Sequence, residues 1–192
     1  MIIGQGLFYF RTYFYMEYYQ VTSTEDPCLP FIHNLYHSAF PEAERRDWGQ
    51  LMKMLTTTPE MVLQLIKHNH IAIGYIIIWS LEEWSFIEHF AIDAEQRGKK
   101  YGEIIMKNLS GQLKLILEVE PALSADAKRR ITFYEKQGLN CLSVTYNQPS
   151  YTDAKVTFEM LLMSNIAERN EQQFTPVINK IKEYVYYKNY IS

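Results

Sequence analysis

The chain has 192 residues, which is long enough for a single domain to bury its own core without disulfide or metal support. Hydrophobic residues make up 47% of the sequence and charged residues 21%, which excludes an intrinsically disordered chain, a collagen and a disulfide-rich scaffold. The formal net charge of −3 excludes a global positive field that would attract nucleic acid, so any anion-binding site has to be local.

The cysteines and the apolar segments indicate the compartment. Cys28 and Cys141 lie far apart and form no Cys-x-x-Cys pattern, which favours a reduced, cytoplasmic location. The longest apolar stretch, residues 71–79, is much shorter than the roughly 20 residues that span a bilayer, so no membrane partner is expected.

The first fifteen residues are rich in aromatic side chains but do not resemble a secretory signal. No positive charge precedes their apolar part, and no small-residue cleavage site follows it. Met16 offers an alternative start to the chain. We therefore predict an extension over residues 1–15 and one domain over residues 16–192.

Strands and helices alternate along the domain. Apolar residues at helical spacing between Tyr101 and Leu113 predict an amphipathic helix, and Ser124 and Gly138 supply a start and a stop for another. The predicted strands are residues 17–22, 61–67, 71–79, 85–92, 115–119, 142–146 and 155–162. The predicted helices are residues 27–40, 43–55, 100–114, 124–137 and 176–187. This order predicts a mixed α/β fold whose second half is βαβαβ-like.

The segment from residue 85 to residue 109 carries the clearest chemical signal. A strand, a short loop with Arg97 and Gly98, and a helix start follow one another there, and this arrangement aims unpaired N–H groups and a helix dipole at one spot. Lys99 and Lys100 add positive charge, and Gly102 allows close approach. Neither a P-loop nor a dinucleotide-binding pattern is present. The pattern alone fits a phosphate-bearing ligand or a solvated basic turn equally well.

Two segments together resemble the GNAT N-acetyltransferase superfamily. The segment IEHFAIDAEQRGKKYGEIIM is similar to its acyl-CoA motif, which is Gln or Arg, two residues, Gly, one residue, then Gly or Ala. Arg97 and Gly102 match the ends of the motif, whereas Lys100 replaces its middle glycine and alters one close backbone contact to a pyrophosphate. The segment LILEVE, followed by AKRRITFYEKQGL, resembles the next strand and helix of the family. The resemblance extends in element order from about Met16 to Met163.

The resemblance implies one domain with a V-shaped central mixed sheet flanked by helices. Acetyl-CoA would bind where the parallel strands 85–92 and 115–119 splay apart, with its pantetheine along the first strand and its pyrophosphate on the N–H groups of residues 98–102. The cofactor-binding residues implied in this way are Phe90, Ala91, Ile92, Arg97, Gly98, Lys99, Lys100, Tyr101, Gly102 and Tyr134. The acyltransferase domain would span residues 16–192 and include the C-terminal helix.

Acetyl transfer to an amine needs a base, and it benefits from an acid at the leaving thiolate. Glu88 is the base candidate, acting directly or through a water, because it lies on an otherwise apolar strand where desolvation would raise its pKa. A structural carboxylate paired with a basic residue is the alternative. His89 would face the other side of the sheet unless a bulge intervenes. By resemblance, Tyr134 is the general acid; by pattern alone it could be a core aromatic.

The acceptor amine should bind between the first helices and the YNQPSY loop. Trp48, Glu118, Tyr146 and Tyr151 are the predicted substrate-binding residues. Glu118 and Glu120 alternate outward on their strand and either reach the amine or face solvent. Acidic residues near the second helix also suit a cation, although charged helix faces are commonly only solvated: Glu42, Glu44 and Asp47. The five histidines form no ligand spacing with cysteine or acidic residues, so no metal is expected.

Two classes of function follow. The first is an enzyme that moves the acetyl group of acetyl-CoA to a primary amine of a small molecule or peptide, working as a monomer or homodimer. The second is a catalytically silent acyl-CoA-binding module on the same fold. A weaker third class is an assembly protein that uses its aromatic amino terminus and its tyrosine-rich tail.

Overall fold

The computed structural model describes residues 16–190, so the predicted extension over residues 1–15 lies outside the described residues. The strands are β1 (Met16–Val21), β2 (Met61–His68), β3 (Ile71–Leu81), β4 (Trp84–Ile92), β5 (Lys114–Val119), β6 (Asn140–Cys141), β7 (Tyr146–Pro149) and β8 (Thr157–Ser164). The α-helices are α1 (Leu29–Ala39), α2 (Trp48–Thr57), α3 (Tyr101–Ser110), α4 (Ala125–Lys136) and α5 (Thr175–Lys180). Short 3₁₀ turns cover Glu42–Glu44, Ala94–Gln96, Glu171–Phe174 and Tyr187–Asn189, and a π-helical turn covers Ile181–Tyr186.

The eight strands form one mixed sheet in the order β1-β2-β3-β4-β5-β8-β6, with β7 also paired to β8. Only β4 and β5 run parallel; the other described strand pairs are antiparallel. The parallel pairing begins at Trp84 opposite Lys114 and ends at Ile87 opposite Leu117. Beyond that pair β4 continues to Ile92 without β5, so the two strands splay and the sheet opens into a V. This architecture confirms the predicted fold class.

Helices cover both faces of the sheet, which produces two apolar cores. One core packs α1, α2 and the C-terminal segment against the sheet, with Tyr36, Leu51 and Val185 fully buried. The other packs α3 and α4 against the opposite face, around Ile105 and Leu117. No helix within residues 16–190 is long and apolar enough to cross a membrane.

A β-bulge in β4 decides which way the residues near the splay point face. Ile87 pairs with Ile78 of β3 and His89 pairs with Ile77, so Glu88 has no partner on β3. A bulge inserts one residue and resets the side-chain alternation. Glu88 and His89 therefore both face the core that contains α1, which strict alternation would forbid for one of them.

Three predicted elements differ from the structure because side chains take over main-chain hydrogen bonds. The helix predicted over 43–55 breaks, since the Tyr36 hydroxyl accepts from the Arg46 N–H at 2.7 Å, and α2 restarts with Asp47 as its N-cap. The strand predicted over 142–146 shifts to β7, since the Ser143 N–H binds the Glu168 carboxylate at 2.9 Å. The predicted last helix contains the π-helical turn, where the side chains of Asn189 and Arg46 both donate hydrogen bonds to the main-chain oxygen of Val185.

Candidate functional site

The opening between β4 and β5 holds a cavity of about 260 Å³. Its lining combines the free end of β4, the part of β5 where the parallel pairing ends, helix α4 and the loop before β8. The predicted site residues that it brings together are Glu88, Phe90, Ala91, Ile92, Arg97, Glu118, Tyr134 and Tyr151. Residues from distant parts of the chain thus meet where the sheet opens.

The free end of β4 presents main chain to this cavity. From His89 to Ile92 the strand still pairs with β3 on one side, whereas the parallel pairing with β5 has already ended on the other. Main-chain groups that face the opening have no strand partner, and buried groups of this kind need one. An extended ligand with amide groups can supply those hydrogen bonds in the manner of an added strand.

The loop that follows β4 forms a second cleft of about 320 Å³, which shares Ile92 and Arg97 with the first. Gly98 and Lys100 are both left-handed, with φ of 77° and 62°. Lys100 is the N-cap of α3 and makes no side-chain cap, so the first N–H groups of the helix are open to a ligand. This geometry suits an anion such as a pyrophosphate.

Lys100 and Lys99 differ in their relation to that cleft. Lys100 lines the cleft and adopts the left-handed conformation that a glycine adopts without cost. The turn is therefore preserved although a lysine stands where the family motif has a glycine. Lys99 instead donates to the Gln96 side chain at 2.8 Å on the surface and does not line the cleft. Gly102 lies against Phe133, since a Cβ added to Gly102 would be 3.4 Å from the ring.

Tyr134 forms part of the cavity wall from α4. Its side chain is half-buried, and burial raises the pKa of the phenol to about 12, with Arg130 opposing the shift. The hydroxyl therefore keeps its proton at neutral pH and is available as a donor. The Phe133 ring stands edge-on to the Tyr134 ring at 5.1 Å between centroids and holds it in place.

Glu88, the base candidate of the sequence analysis, accepts hydrogen bonds from two donors. The Arg46 Nε donates to Oε1 at 2.9 Å and the Trp79 Nε1 donates to Oε2 at 2.6 Å. The side chains of Arg46 and Glu88 are each only 1% exposed. The geometry matches the alternative interpretation, a structural carboxylate paired with a basic residue. Both of its oxygens are therefore occupied by hydrogen bonds to buried or half-buried donors.

Glu118 is the second carboxylate at the splay point, and it does not point outward as alternation on an exposed strand predicted. Helices and loops cover both faces of β5, so Glu118 is half-buried. The hydroxyls of Tyr146 and Tyr186 donate to its two oxygens, the latter at 2.6 Å. Burial raises the pKa of Glu118 to about 7, the two hydrogen bonds oppose the shift, and nearby Glu88 adds to it. A carboxyl that titrates near neutrality thus lines the cavity.

His89 adds a neutral acceptor to the same wall. Its Nε2 lies 3.0 Å from the main-chain oxygen of Glu44, so we assign the proton to Nε2. Its Nδ1 is buried and has no hydrogen-bond partner among the described residues. Burial lowers the pKa of His89, which keeps the imidazole neutral.

The structure separates the predicted substrate-binding residues. Tyr151 lines the cavity, Tyr146 acts behind it through Glu118, and Glu118 lines it directly. Trp48 does not reach the cavity: it packs on α1, with its ring 4.9 Å from His33 and 5.7 Å from Tyr36.

Three further residues at the site have no local signal in the sequence. Arg46 is an arginine in a helix break, Gln148 is one residue of a polar loop, and Tyr186 is one of many tail tyrosines. Each acts through a partner far along the chain: Arg46 through Glu88, Gln148 through Tyr186, and Tyr186 through Glu118. The excess of tyrosines in the tail was the one pattern that could have drawn attention to Tyr186.

Comparison with known proteins is informative at the level of the family. The model of the acetyltransferase (GNAT) family matches residues 29–139. No curated protein matches the chain. A putative GNAT-family acetyltransferase from Bacteroides thetaiotaomicron is similar in structure with a TM-score of 0.82 and 27% sequence identity, covering 88% of this chain and 98% of that one.

Two more distant structures share the fold. The ribosomal-protein-S18-alanine N-acetyltransferase from Escherichia coli has a TM-score of 0.53 and 18% identity, covering 81% of this chain and 98% of that one. A GNAT-family acetyltransferase from Elizabethkingia anophelis, with acetyl-CoA bound, has a TM-score of 0.52 and 13% identity, covering 78% of this chain and 96% of that one. Since the family model spans more than half of the sequence and extends past the helix carrying Tyr134, this chain belongs to the GNAT acetyltransferase family.

Proposed function

We propose that the protein is an N-acetyltransferase that moves the acetyl group of acetyl-CoA to a primary amine. The observation that carries the proposal is the convergence of three features on one opening in the sheet. A cationic loop at a helix start adjoins it, Tyr134 presents a protonated hydroxyl, and Glu118 presents a carboxyl with a pKa of about 7. Polyanion binding, acid catalysis and base catalysis each need one of these features.

The chain's own groups support acetyl-CoA as the acyl donor. The unpaired main chain of β4 from His89 to Ile92 matches the amides of a pantetheine arm, and Arg97 and the first N–H groups of α3 match a pyrophosphate. The E. anophelis structure of the same fold, solved with acetyl-CoA, agrees with this assignment. When bound, acetyl-CoA supplies a thioester carbonyl that an amine can attack.

Glu118 is the better candidate for the general base. An acceptor amine is mostly protonated at neutral pH, and a base with a pKa near the working pH removes that proton most effectively. The Glu118 carboxyl has such a pKa and is bound only by two neutral tyrosine hydroxyls, whereas Glu88 is ion-paired with the Arg46 guanidinium and also bound by Trp79. Glu88 then raises the basicity of Glu118 by its negative charge.

Tyr134 is the candidate general acid. It lines the cavity together with the free end of β4, and its phenol is protonated at neutral pH. In the proposed reaction Glu118 takes one proton from the ammonium, the nitrogen–carbonyl bond forms, the carbon–sulfur bond breaks, and the Tyr134 hydroxyl donates its proton to the departing sulfur. The second proton that the nitrogen loses restores the Tyr134 hydroxyl.

Binding of acetyl-CoA is the first test of the proposal. At a cofactor concentration about 100 times its dissociation constant, binding should stabilise the fold by roughly 2.7 kcal/mol, which for a chain of this size raises Tm by about 5–10 °C. Desulfo-CoA should stabilise the fold as well, because the phosphates are the main anchor. Release of free thiol on addition of amines then measures transfer itself.

Two glycines, one in the first turn of α3 and one at its C-cap, provide a matched pair for this test. Gly102→Val crowds the loop and Phe133, so it should reduce the cofactor-induced rise in Tm. Gly111→Val, at the other end of the helix, should leave the rise unchanged. An unchanged Tm at millimolar CoA would contradict the assignment of the loop. Tight CoA binding with no thiol release for any amine would indicate a silent CoA-binding module.

Replacing Tyr134 with Phe isolates the proposed acid. The packing of the ring against Phe133 is retained, so the cofactor-induced rise in Tm should not change. We expect kcat to fall about 10²-fold, the scale of a general acid. Tyr187→Phe, at an exposed tyrosine of the tail, is the control. Equal kcat values for wild type and Tyr134→Phe would remove the acid from the mechanism.

A further inference from the structure

The hydroxyl of Tyr186 lies between two side chains of the candidate site. It donates to Oε2 of Glu118 at 2.6 Å, and the Nε2 of Gln148 donates to it at 2.8 Å. Tyr186 is only 1% exposed, whereas Gln148 and Glu118 both line the cavity at the opening of the sheet. A side chain in the cavity wall therefore reaches the proposed base through a buried tyrosine.

The hydrogen-bonding capacity of the three groups fixes the direction of these two hydrogen bonds. An amide NH2 can only donate, an ionised carboxylate can only accept, and a phenol carries a single proton. Because Gln148 already donates to the Tyr186 oxygen, the Tyr186 hydroxyl directs its own proton at Glu118. This orientation is the one that satisfies all three groups at once.

The orientation of the Gln148 amide follows from the same requirement. With the amide reversed, its oxygen would accept the Tyr186 proton and leave Glu118 without that donor. The carboxylate is the stronger acceptor, since hydrogen bonds to an ionised oxygen are roughly twice as strong as those between neutral groups. We therefore assign Nε2, rather than Oε1, to the contact with Tyr186. Among residues 16–190, Tyr186 is the only hydrogen-bond partner of this amide.

Tyr146 gives the same carboxyl a second donor that is not held in this way. Its hydroxyl donates to Oε1 of Glu118, and no other hydrogen bond to that hydroxyl is present in the described part of the chain. Tyr146 can therefore turn its proton away when Glu118 becomes protonated, whereas Gln148 opposes the same movement of Tyr186. Of the two oxygens of the proposed base, only Oε2 has a donor whose orientation is fixed.

We propose that Gln148 is a positioning residue, which keeps the Tyr186 hydroxyl directed at Glu118 and so favours the ionised carboxylate that takes a proton from the amine. The inference rests on the proposed acetyl transfer with Glu118 as its base. Gln148 and Tyr186 exchange no proton in the reaction: one proton passes from the ammonium to Glu118, and the N–H and O–H bonds of the two positioning groups stay intact. A hydrogen bond to the charged form of a carboxyl lowers its pKa, so loss of this orientation should raise the pKa of Glu118.

The other charged and titratable groups around Glu118 are not bonded to Gln148. Glu88 raises the pKa of Glu118 and Arg46 lowers it. In the described structure, none of the groups near this carboxyl other than Tyr186 forms a hydrogen bond with Gln148, so an effect of Gln148 on Glu118 has to pass through that tyrosine. The remaining titratable residues that line the cavity or lie over the Tyr146 ring are Glu44, His89, Arg97, Arg130, Tyr134, Tyr151 and Lys182.

Titration of the Glu118 carboxyl tests the proposal without any acceptor. In protein labelled with ¹³C at the glutamate carboxyls, the Glu118 signal is identified by its loss in the Glu118→Gln variant. We expect Gln148→Met, which removes the donor and adds no charge, to raise the midpoint of this titration by about half a pH unit. Gln148→Glu should raise it by about one unit or more, because the introduced carboxylate accepts the Tyr186 proton and adds negative charge. Gln112→Met and Gln112→Glu, at an exposed glutamine beyond the end of α3, are the matched controls and should leave the midpoint unchanged.

The pH profile of turnover adds a readout that a structural role alone would not move. Below the inflection, kcat of Gln148→Met should be about threefold lower than that of wild type, which is the fall that a half-unit shift produces, and the plateau at high pH should be unchanged. KM should not change. A changed KM with an unmoved inflection would make Gln148 a residue that binds the acceptor, and it would overturn the positioning role.

A double variant shows whether Gln148 acts through Tyr186. Since Tyr186→Phe already removes the hydroxyl, adding Gln148→Met to it should move the Glu118 midpoint no further. Additive shifts would overturn the proposal, and so would an unmoved midpoint in Gln148→Met alone. Gln148→Leu serves in the same cycle if Gln148→Met does not fold. If no amine releases thiol, the proposed function fails, whereas the titration still decides the role of Gln148.

Discussion

Replacing Glu118 with Gln should reduce kcat by about 10²- to 10⁴-fold, the largest effect on turnover that we expect from one substitution. The amide side chain introduced in this way has nearly the shape of the original carboxyl, and its oxygen can still accept from Tyr186 or Tyr146. It cannot take the proton of the acceptor amine. The cofactor-induced rise in Tm should persist, because the cleft of the anion-binding loop does not include Glu118.

The pH dependence of kcat at saturating amine makes the test specific. A base with a pKa of about 7 gives a rate that rises with pH and levels off above that value. The groups around it are Tyr146, Tyr186, Glu88 and Arg46. Tyr186→Phe removes a hydrogen bond that lowers the pKa of Glu118, so the inflection should move to higher pH. The inflection should vanish in the Glu118→Gln variant, and an unchanged inflection there would assign the base elsewhere.

The same carboxyl affects stability with a defined sign. Its pKa rises from the ordinary 4.5 to about 7 on folding, so the folded chain holds the proton more tightly than the unfolded one. The contribution of Glu118 to the free energy of unfolding should therefore fall as pH rises from about 4.5 to about 7. Urea unfolding at pH 5 and pH 8 should show this slope reduced in the Glu118→Gln variant.

The sequence was sufficient for the parts of the site that local pattern determines. The strand that ends at Ile92, the loop with Gly98 and the helix from Tyr101 are contiguous, so hydrophobic periodicity and loop chemistry predicted the position of the anion-binding loop. The Ser124 cap of α4 was likewise visible, and its hydroxyl accepts from the Ala127 N–H at 3.0 Å. The family resemblance ordered these elements into a sheet that opens between β4 and β5.

The roles of the carboxylates depend on contacts that no local pattern contains. The bulge at Glu88 turns that residue toward Arg46, which lies 42 positions earlier. Glu118 meets Tyr186 across 68 positions. Alternation along β5 could assign Glu118 to a face, but whether that face is covered depends on the C-terminal segment. Sequence patterns therefore predicted that acidic residues lie near the opening. They could not predict which carboxyl acts as a base, because that depends on contacts in the tertiary structure.

Removing Arg46 should produce the largest loss of stability of any single substitution at the site. Its side chain is buried, binds Glu88 at 2.9 Å, donates to the Val185 carbonyl and lies over the Tyr151 ring at 4.6 Å. Arg46→Met keeps an unbranched apolar chain but leaves a buried carboxylate and a carbonyl without their partner. We expect a loss of about 3–5 kcal/mol in the free energy of unfolding, or roughly 10 °C in Tm.

A second variant distinguishes an ion-pair effect from a packing effect. Removing both charges in Arg46→Met with Glu88→Leu abolishes the buried charge, so most of the lost stability should return, because apolar replacement of a whole buried pair is often close to neutral. A packing effect would make the double variant less stable than the single one. The double variant still lacks the contact with Val185, which adjoins Tyr186, the donor to Glu118. Stability should therefore recover without full recovery of kcat, because the Arg46 contact with Val185, which fixes the segment that orients the proposed base, is still missing.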